Sequence, residues 1–255
     1  FVGYGIAAGM PNRPEFNVIN NGYVLVNALK TAGNAPAAVD VQFNVLNRGF
    51  FDSNWAIQFG SGNSANGKTT VRMSNSVMRC SGSGDFSFGS PIDFVAGAGS
   101  VITQTCTTGI IFRNNASGQM RLEGGSRLYY NQIRFENNSG VNAAIQLDNA
   151  ILQPNGNNMT STTVRATGLG LELLAGGATV DMSSVARHTF TLPIRGTGGL
   201  IKTGNGELVF ADGRANNVIG PEITAQYSGL TEVRAGTLTV ETNGVGAVTR
   251  VSVLD

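Results

Sequence analysis

The chain has 255 residues, of which 17 are basic and 16 acidic, for a formal net charge of +1; charged residues make up 13% against 35 glycines. With 41% hydrophobic residues it has neither the low hydrophobicity nor the high net charge of a disordered chain, and its scattered Lys and Arg form no basic face for nucleic acid. No apolar run approaches the roughly 18 residues of a membrane-spanning helix, and one His with two Cys cannot supply four soft ligands to zinc.

The sequence opens at Phe1 rather than Met, without a basic stretch followed by an apolar run. The expectation is a processed or excised piece of a longer protein. Residues 1–66 repeat least clearly and are expected to form an N-terminal cap or irregular first coils, because the open end of a stacked structure is an unpaired sheet edge. Beyond them no stretch has the charged wet face of an amphipathic helix. Short alternating apolar pairs recur instead: Val71 and Met73, Met120 and Leu122, Ile145 and Leu147, Leu208 and Phe210, Leu238 and Val240. Gly, Asn or Ser bounds them, so the chain reads as all-β, with many short strands and tight turns.

The strands repeat. Ile110-Ile111-Phe112-Arg113-Asn114-Asn115 matches Ile133-Arg134-Phe135-Glu136-Asn137-Asn138 at an offset of 23. Met120-Arg121-Leu122-Glu123 matches Ile145-Gln146-Leu147-Asp148 at 25, with an echo at Leu171-Glu172-Leu173. Such periods are the mark of a solenoid. Residues 67–255 are therefore expected to wind as a single parallel β-helix, with about ten coils in the chain. Phe112 should stack on Phe135, and Asn114 and Asn115 should form turn ladders with Asn137 and Asn138. Gln153 to Thr163 is expected to bulge as a loop. Cys80 and Cys106 lie 26 residues apart, about one coil. That spacing admits either a disulfide, which implies an oxidising compartment, or two buried free thiols.

From Gly196 to Val240 the chain resembles the autotransporter-associated β-strand repeat. The resemblance is carried by Gly196-Thr197-Gly198-Gly199-Leu200-Ile201-Lys202-Thr203-Gly204-Asn205-Gly206-Glu207-Leu208-Val209-Phe210 and, after an insertion at Val218 to Gln226, by Tyr227 to Val240. The Phe-x-x-Asn segments at Phe112 and Phe135, with Gly176-Gly177-Ala178, resemble polymorphic outer-membrane-protein repeats. These resemblances imply a right-handed parallel β-helix passenger. It would be displayed on, or released from, the outer surface of a Gram-negative bacterium, its contact with the outer membrane made by a C-terminal barrel outside this sequence. They imply no chemistry by themselves.

The residues offer few catalytic groups. His188 is the single histidine, and no Gly-x-Ser-x-Gly elbow accompanies it, so it is expected to be an ordinary strand or edge residue. Glu123, Asp148 and Glu172 each follow an inward-type Leu (Leu122, Leu147, Leu171), and in aligned coils they would stack outward. Such a column could act as acid and base on a glycosidic bond or bind Ca²⁺; otherwise it is a solvated face balanced by Arg121, Arg127 and Arg134. Trp55, Tyr129 and Tyr130, with Phe50 and Phe51, are candidates for stacking on sugars. Gly196 to Gly206 lacks the following helix and Lys-Ser/Thr ending of a phosphate loop. The reading is a non-catalytic, cofactor-free, structural or adhesive cell-surface protein. Its expected partners are a second copy, a host or matrix protein, or a glycan. The alternatives are a polysaccharide lyase or glycoside hydrolase on the same scaffold, and a three-chain phage tail-fibre or tailspike shaft.

Overall fold

The computed structural model describes residues 15–33, 40–61, 67–113, 116–135, 142–156, 159–161, 170–211, 225–241 and 248–253, and every regular element in them is a strand. The period-two pattern of the sequence is the cause: along Pro91–Ala96, Val101–Gln104 and Arg127–Tyr130, half-buried and buried residues alternate strictly.

The chain winds. Two opening turns each hold a short and a long strand: β1 (Glu15–Ile19) with β2 (Tyr23–Gly33), then β3 (Val41–Leu46) with β4 (Phe50–Ser61). Seven turns of three strands follow. They are β5 (Thr69–Ser74), β6 (Val77–Cys80), β7 (Phe86–Phe88); β8 (Pro91–Ala96), β9 (Val101–Gln104), β10 (Ile110–Phe112); β11 (Ser117–Glu123), β12 (Arg127–Tyr130), β13 (Ile133–Phe135); and β14 (Asn142–Asp148), β15 (Ala150–Pro154), β16 (Met159–Ser161). The last three are β17 (Gly170–Leu173), β18 (Ala178–Asp181), β19 (Arg187–Phe190); β20 (Ile194–Gly196), β21 (Leu200–Thr203), β22 (Glu207–Phe210); and β23 (Ala225–Tyr227), β24 (Thr231–Val233), β25 (Gly236–Glu241).

Each strand pairs in parallel with its counterpart one turn later. The first strands of the turns form a nine-stranded sheet, β1-β3-β5-β8-β11-β14-β17-β20-β23. The second and third strands form two further walls, which β4 joins by pairing with both β6 and β7. The architecture is an all-β parallel solenoid. Equivalent residues on the first wall, Phe16, Phe43, Val71, Phe94, Met120, Ile145, Leu171, Ile194 and Ala225, are 23 to 31 residues apart, so turns are on average longer than the 23-residue offset suggested.

Stacked side chains fill the interior. Phe59, Phe88, Phe112 and Phe135 occupy one inward column, with successive centroids 5.6, 5.0 and 4.5 Å apart; the Phe112 and Phe135 rings are within 8° of parallel. All four are fully buried. Burying such a ring contributes about 1.5–3 kcal/mol, and a ring pair about 0.5–1.5 kcal/mol beyond that. The corner that leaves the first wall needs a left-handed residue in turn after turn: Asn20, Asn47, Asn75, Gly99, Gly124, Asn149 and Gly177, all with φ between 46° and 70°. Only Gly and Asn adopt this conformation at low cost.

Three expectations sharpen or change. Of the two alternatives for residues 1–66, 15–33 and 40–61 follow the first-coils one rather than a cap, and they are in register with the rest, Phe16 stacking on Phe43 at 4.9 Å; residues 1–14, 34–39 and 62–66 lie outside the described residues. Of the expected loop from Gln153 to Thr163, Gln153 and Pro154 end β15, and Met159–Ser161 form β16. Pro154 is tolerated because the β15–β18 ladder stops at Leu152, so no partner there needs its missing N–H. Third, the C-terminal strand β26 (Val248–Val253) turns back antiparallel on β25. Six residues, 242–247, separate the two strands, too few for the crossover that a parallel partner requires. Asn114, Asn115, Asn137 and Asn138 lie outside the described residues, as does the insertion from Val218 to residue 224; its last two residues, Ala225 and Gln226, belong to β23.

Phe112 is clamped on both sides, so Phe112→Ala should lower the unfolding free energy by about 3–5 kcal/mol and Phe112→Leu by clearly less. Urea denaturation of the two variants checks this ordering.

Candidate functional site

The outer face of the first wall carries the carboxylates. Strand β11 pairs with β14 over its whole length, which sets Glu123 directly opposite Asp148. Arg121 lies between them, its Nε 2.9 Å from Glu123 Oε2 and its Nη2 3.0 Å from Asp148 Oδ2. Asp148 Oδ1 also accepts the Gly176 N–H at 2.9 Å. Glu172 does not continue this line. Leu147 pairs with Leu173, not Leu171, so Glu172 falls opposite Gln146, whose Nε2 donates to Glu172 Oε2 at 2.9 Å. The three-carboxylate column is thus replaced by an acid pair braced by one arginine and a separate Glu–Gln contact. Among the described residues, no group of three or more His, Cys, Asp or Glu is placed to hold a metal ion.

A second network on this face was not read from the sequence. Asp93 accepts from Arg72 Nη2 at 2.7 Å and Lys68 Nζ at 3.3 Å. The Arg72 guanidinium, helped by Lys68, holds the Asp93 carboxyl below its usual range against the opposing effect of burial. On the second wall, nearly buried Asp52 is gripped by Arg79 through Nε at 3.0 Å and through Nη2. The Asp52 hydrogen bond raises the pKa of that guanidinium.

The aromatic candidates separate by strand alternation. On β12, Leu128 and Tyr130 point inward, and Arg127 and Tyr129 outward. Tyr130 is fully buried, so it is removed from any glycan surface; its hydroxyl lies 3.0 Å from His188 Nε2 and burial pushes its pKa well up. Tyr129 is half-buried under the Arg127 guanidinium, 5.6 Å from its ring centre, and its hydroxyl accepts from Arg127 Nη1 at 3.1 Å. Trp55 is 40% exposed at the bend of β4, three turns from Tyr129 or about 14 Å along the axis, too far for one sugar platform. Phe50 is half-buried and Phe51 fully buried.

His188 is a core residue rather than an edge one. Its ring is buried between Tyr130 and Phe190, with centroids at 5.4 and 5.3 Å. Lys202 is the other unexpected interior polar group. It sits in the inward column between Val180 and Val233, and its ammonium donates to the carbonyls of Ala235 (2.6 Å), Thr203 (3.3 Å) and Gly204. Burial lowers its pKa, partly offset by Asp181. The signal was present: in Leu200-Ile201-Lys202-Thr203, alternation gives Lys202 the same side as Leu200.

Cys80 does not pair with Cys106. Its strand partner is Gln104, and Cys106 lies in the corner two residues further on. The two sulfurs are unbonded thiols 3.2 Å apart, both fully buried. An open groove of about 630 Å³ runs between Met182–Ala186 and Gly204–Gly206 and carries no charged side chain. No known family model, curated protein or solved structure matches this chain.

The depressed Asp93 carboxyl predicts an acid-labile contribution to stability. A carboxyl whose folded pKa lies below its unfolded value contributes above about pH 4, and that contribution is lost as pH falls through the folded pKa. Asp93→Asn should therefore destabilise by about 0.5–1 kcal/mol at pH 7 and by almost nothing near pH 2. Denaturant midpoints at the two pH values, compared with the unsubstituted chain, measure this.

Proposed function

We propose that this chain is a non-catalytic, structural or adhesive passenger of the autotransporter type, wound right-handed into about ten coils and displayed on or released from a Gram-negative outer surface. The observation that carries the non-catalytic reading is the Arg121 bridge. A glycosidic acid–base pair needs two carboxylates open to substrate and in different protonation states. Here one guanidinium lies between Glu123 and Asp148 and contacts both, filling the space that a sugar and its attacking water would need. Glu172 is spent on Gln146.

What remains is a rod whose work is done by shape. Its walls present regular outward columns such as Val77, Val101, Arg127, Ile151, Thr179 and Ile201, one residue per turn. Flat, repetitive faces of this kind suit contact with a second copy, a matrix protein or an extended glycan, and need no cofactor. The display reading rests on the resemblance of Gly196 to Val240, and anchoring would come from a membrane barrel outside this sequence.

The test pairs two assays. The purified chain should bind components of a matrix-protein and glycan panel, and should release no new reducing ends or unsaturated products from acidic polysaccharides. Glu123→Gln and Asp148→Asn should leave binding within about twofold, since outward ion pairs contribute little. Polysaccharide turnover that disappears in Glu123→Gln would replace this proposal with the lyase or hydrolase reading.

A further inference from the structure

The buried sulfur pair joins two turns at one corner. Cys80 ends β6, and Cys106 lies in the corner after β9, one turn later. Cys80 Sγ reaches the carbonyls of Trp55 and Asp85 at 3.9 Å, while Gln104 Nε2 donates to Cys106 Sγ at 3.2 Å. The same amide donates to the Cys106 carbonyl at 2.6 Å, so the sulfur faces a fixed donor. The corner is closed to anything large. A Cβ on Gly82 would lie 2.1 Å from Asn54 O, and one on Gly84 would lie 2.4 Å from Trp55 O, so the segment packs flush on the turn beneath.

We propose that Cys80 and Cys106 form a two-thiol redox site that a small peroxide converts into a disulfide between adjacent turns. The inference rests on this corner alone and is independent of the passenger reading. The sulfurs are already in contact, and a torsional shift of about 1 Å brings them to bonding distance. Cys106 is the attacking group. The contact with the Cys80 sulfur and then the Gln104 amide lower its pKa against the opposing effect of burial, whereas the Cys106 contact and burial raise that of Cys80. The Cys106 thiolate attacks one peroxide oxygen, the O–O bond breaks, and the departing hydroxide takes up a proton to become water. Cys106 is left as a sulfenic acid. The Cys80 sulfur then attacks the Cys106 sulfur; the S–S bond forms, the S–O bond breaks, and the hydroxyl leaves with the Cys80 proton as a second water. Two thiols and one peroxide give one disulfide and two waters. A bulky disulfide such as oxidised glutathione cannot enter the closed corner, so the oxidant the proposal names is a small peroxide.

The test uses the full, reduced, folded chain. It is exposed to hydrogen peroxide near neutral pH, then alkylated under denaturing conditions and cut with trypsin. Arg79 precedes Cys80 and the next basic residue is Arg113, so both cysteines fall in one peptide, Cys80 to Arg113, which contains no methionine to confuse the oxidation. The expected peptide is two hydrogen atoms lighter, takes up no alkyl group, and reverts on reduction. The oxidised chain should melt higher by on the order of 5–10 °C, through closure of a loop of about one turn. In Cys80→Ser, Cys106 should be trapped as the sulfenic acid by dimedone added together with denaturant after the peroxide is removed; in Cys106→Ser, Cys80 should stay a thiol at the same exposure. The proposal is overturned if the folded chain keeps two alkylatable thiols while the urea-unfolded chain cross-links, or if peroxide yields dimers between chains. A Cys80 that is oxidised as fast in Cys106→Ser would overturn the assignment of Cys106 as the attacking sulfur.

Discussion

Parallel pairing in register between successive turns is the constraint on which the structure depends. Seven consecutive residues of β11, Ser117–Glu123, face Asn142–Asp148 without a break. A slip of one residue would drive Met120 and Leu122 into solvent and Arg121 into the core, because side chains alternate along a strand. The register therefore acts twice. Inside, it lays Phe112 on Phe135; outside, it lays Glu123 against Asp148 and leaves Arg121 between them.

Corners absorb what the strands cannot. Turn lengths vary from 23 to 31 residues on the first wall, yet paired strands stay aligned because the extra residues fall between strands. Added loop length costs little once the loop ends are held by neighbouring ladders. The recurrent left-handed position at Asn20, Asn47 and Asn75 shows the opposite behaviour. There the backbone conformation is fixed, and the N–H of Asn47 and that of Asn75 each bond a carbonyl of the next turn, at 3.0 and 2.9 Å.

Two large polar side chains of the interior are met by partners of their own. Lys202 replaces a missing carboxylate with main-chain carbonyls at the corner formed with Ala235, and His188 shares a hydrogen bond with Tyr130 two turns away. An unmatched buried polar group would cost roughly 1–3 kcal/mol. These contacts therefore bias the later turns toward a single stacking arrangement, whereas the earlier turns rely on phenylalanine.

Composition and spacing alone established the all-β class, the solenoid, and the Phe112–Phe135 stack, because an identical Ile-x-Phe at one period leaves one register that buries both rings. A further repeat, Phe16-Asn17-Val18-Ile19-Asn20-Asn21-Gly22-Tyr23 against Phe43-Asn44-Val45-Leu46-Asn47-Arg48-Gly49-Phe50, separates the first-coils alternative from the cap for these segments. Other features emerged only from the folded chain. The displacement of Glu172 from Asp148, the inward turn of Tyr130 onto His188, the carbonyl cage around Lys202 and the meeting of Cys106 with Cys80 through a corner all depend on where one turn lands on the next. A single segment states which of its residues alternate; which face meets the core, and which neighbour each residue meets, is settled by hydrogen bonding between two segments at once.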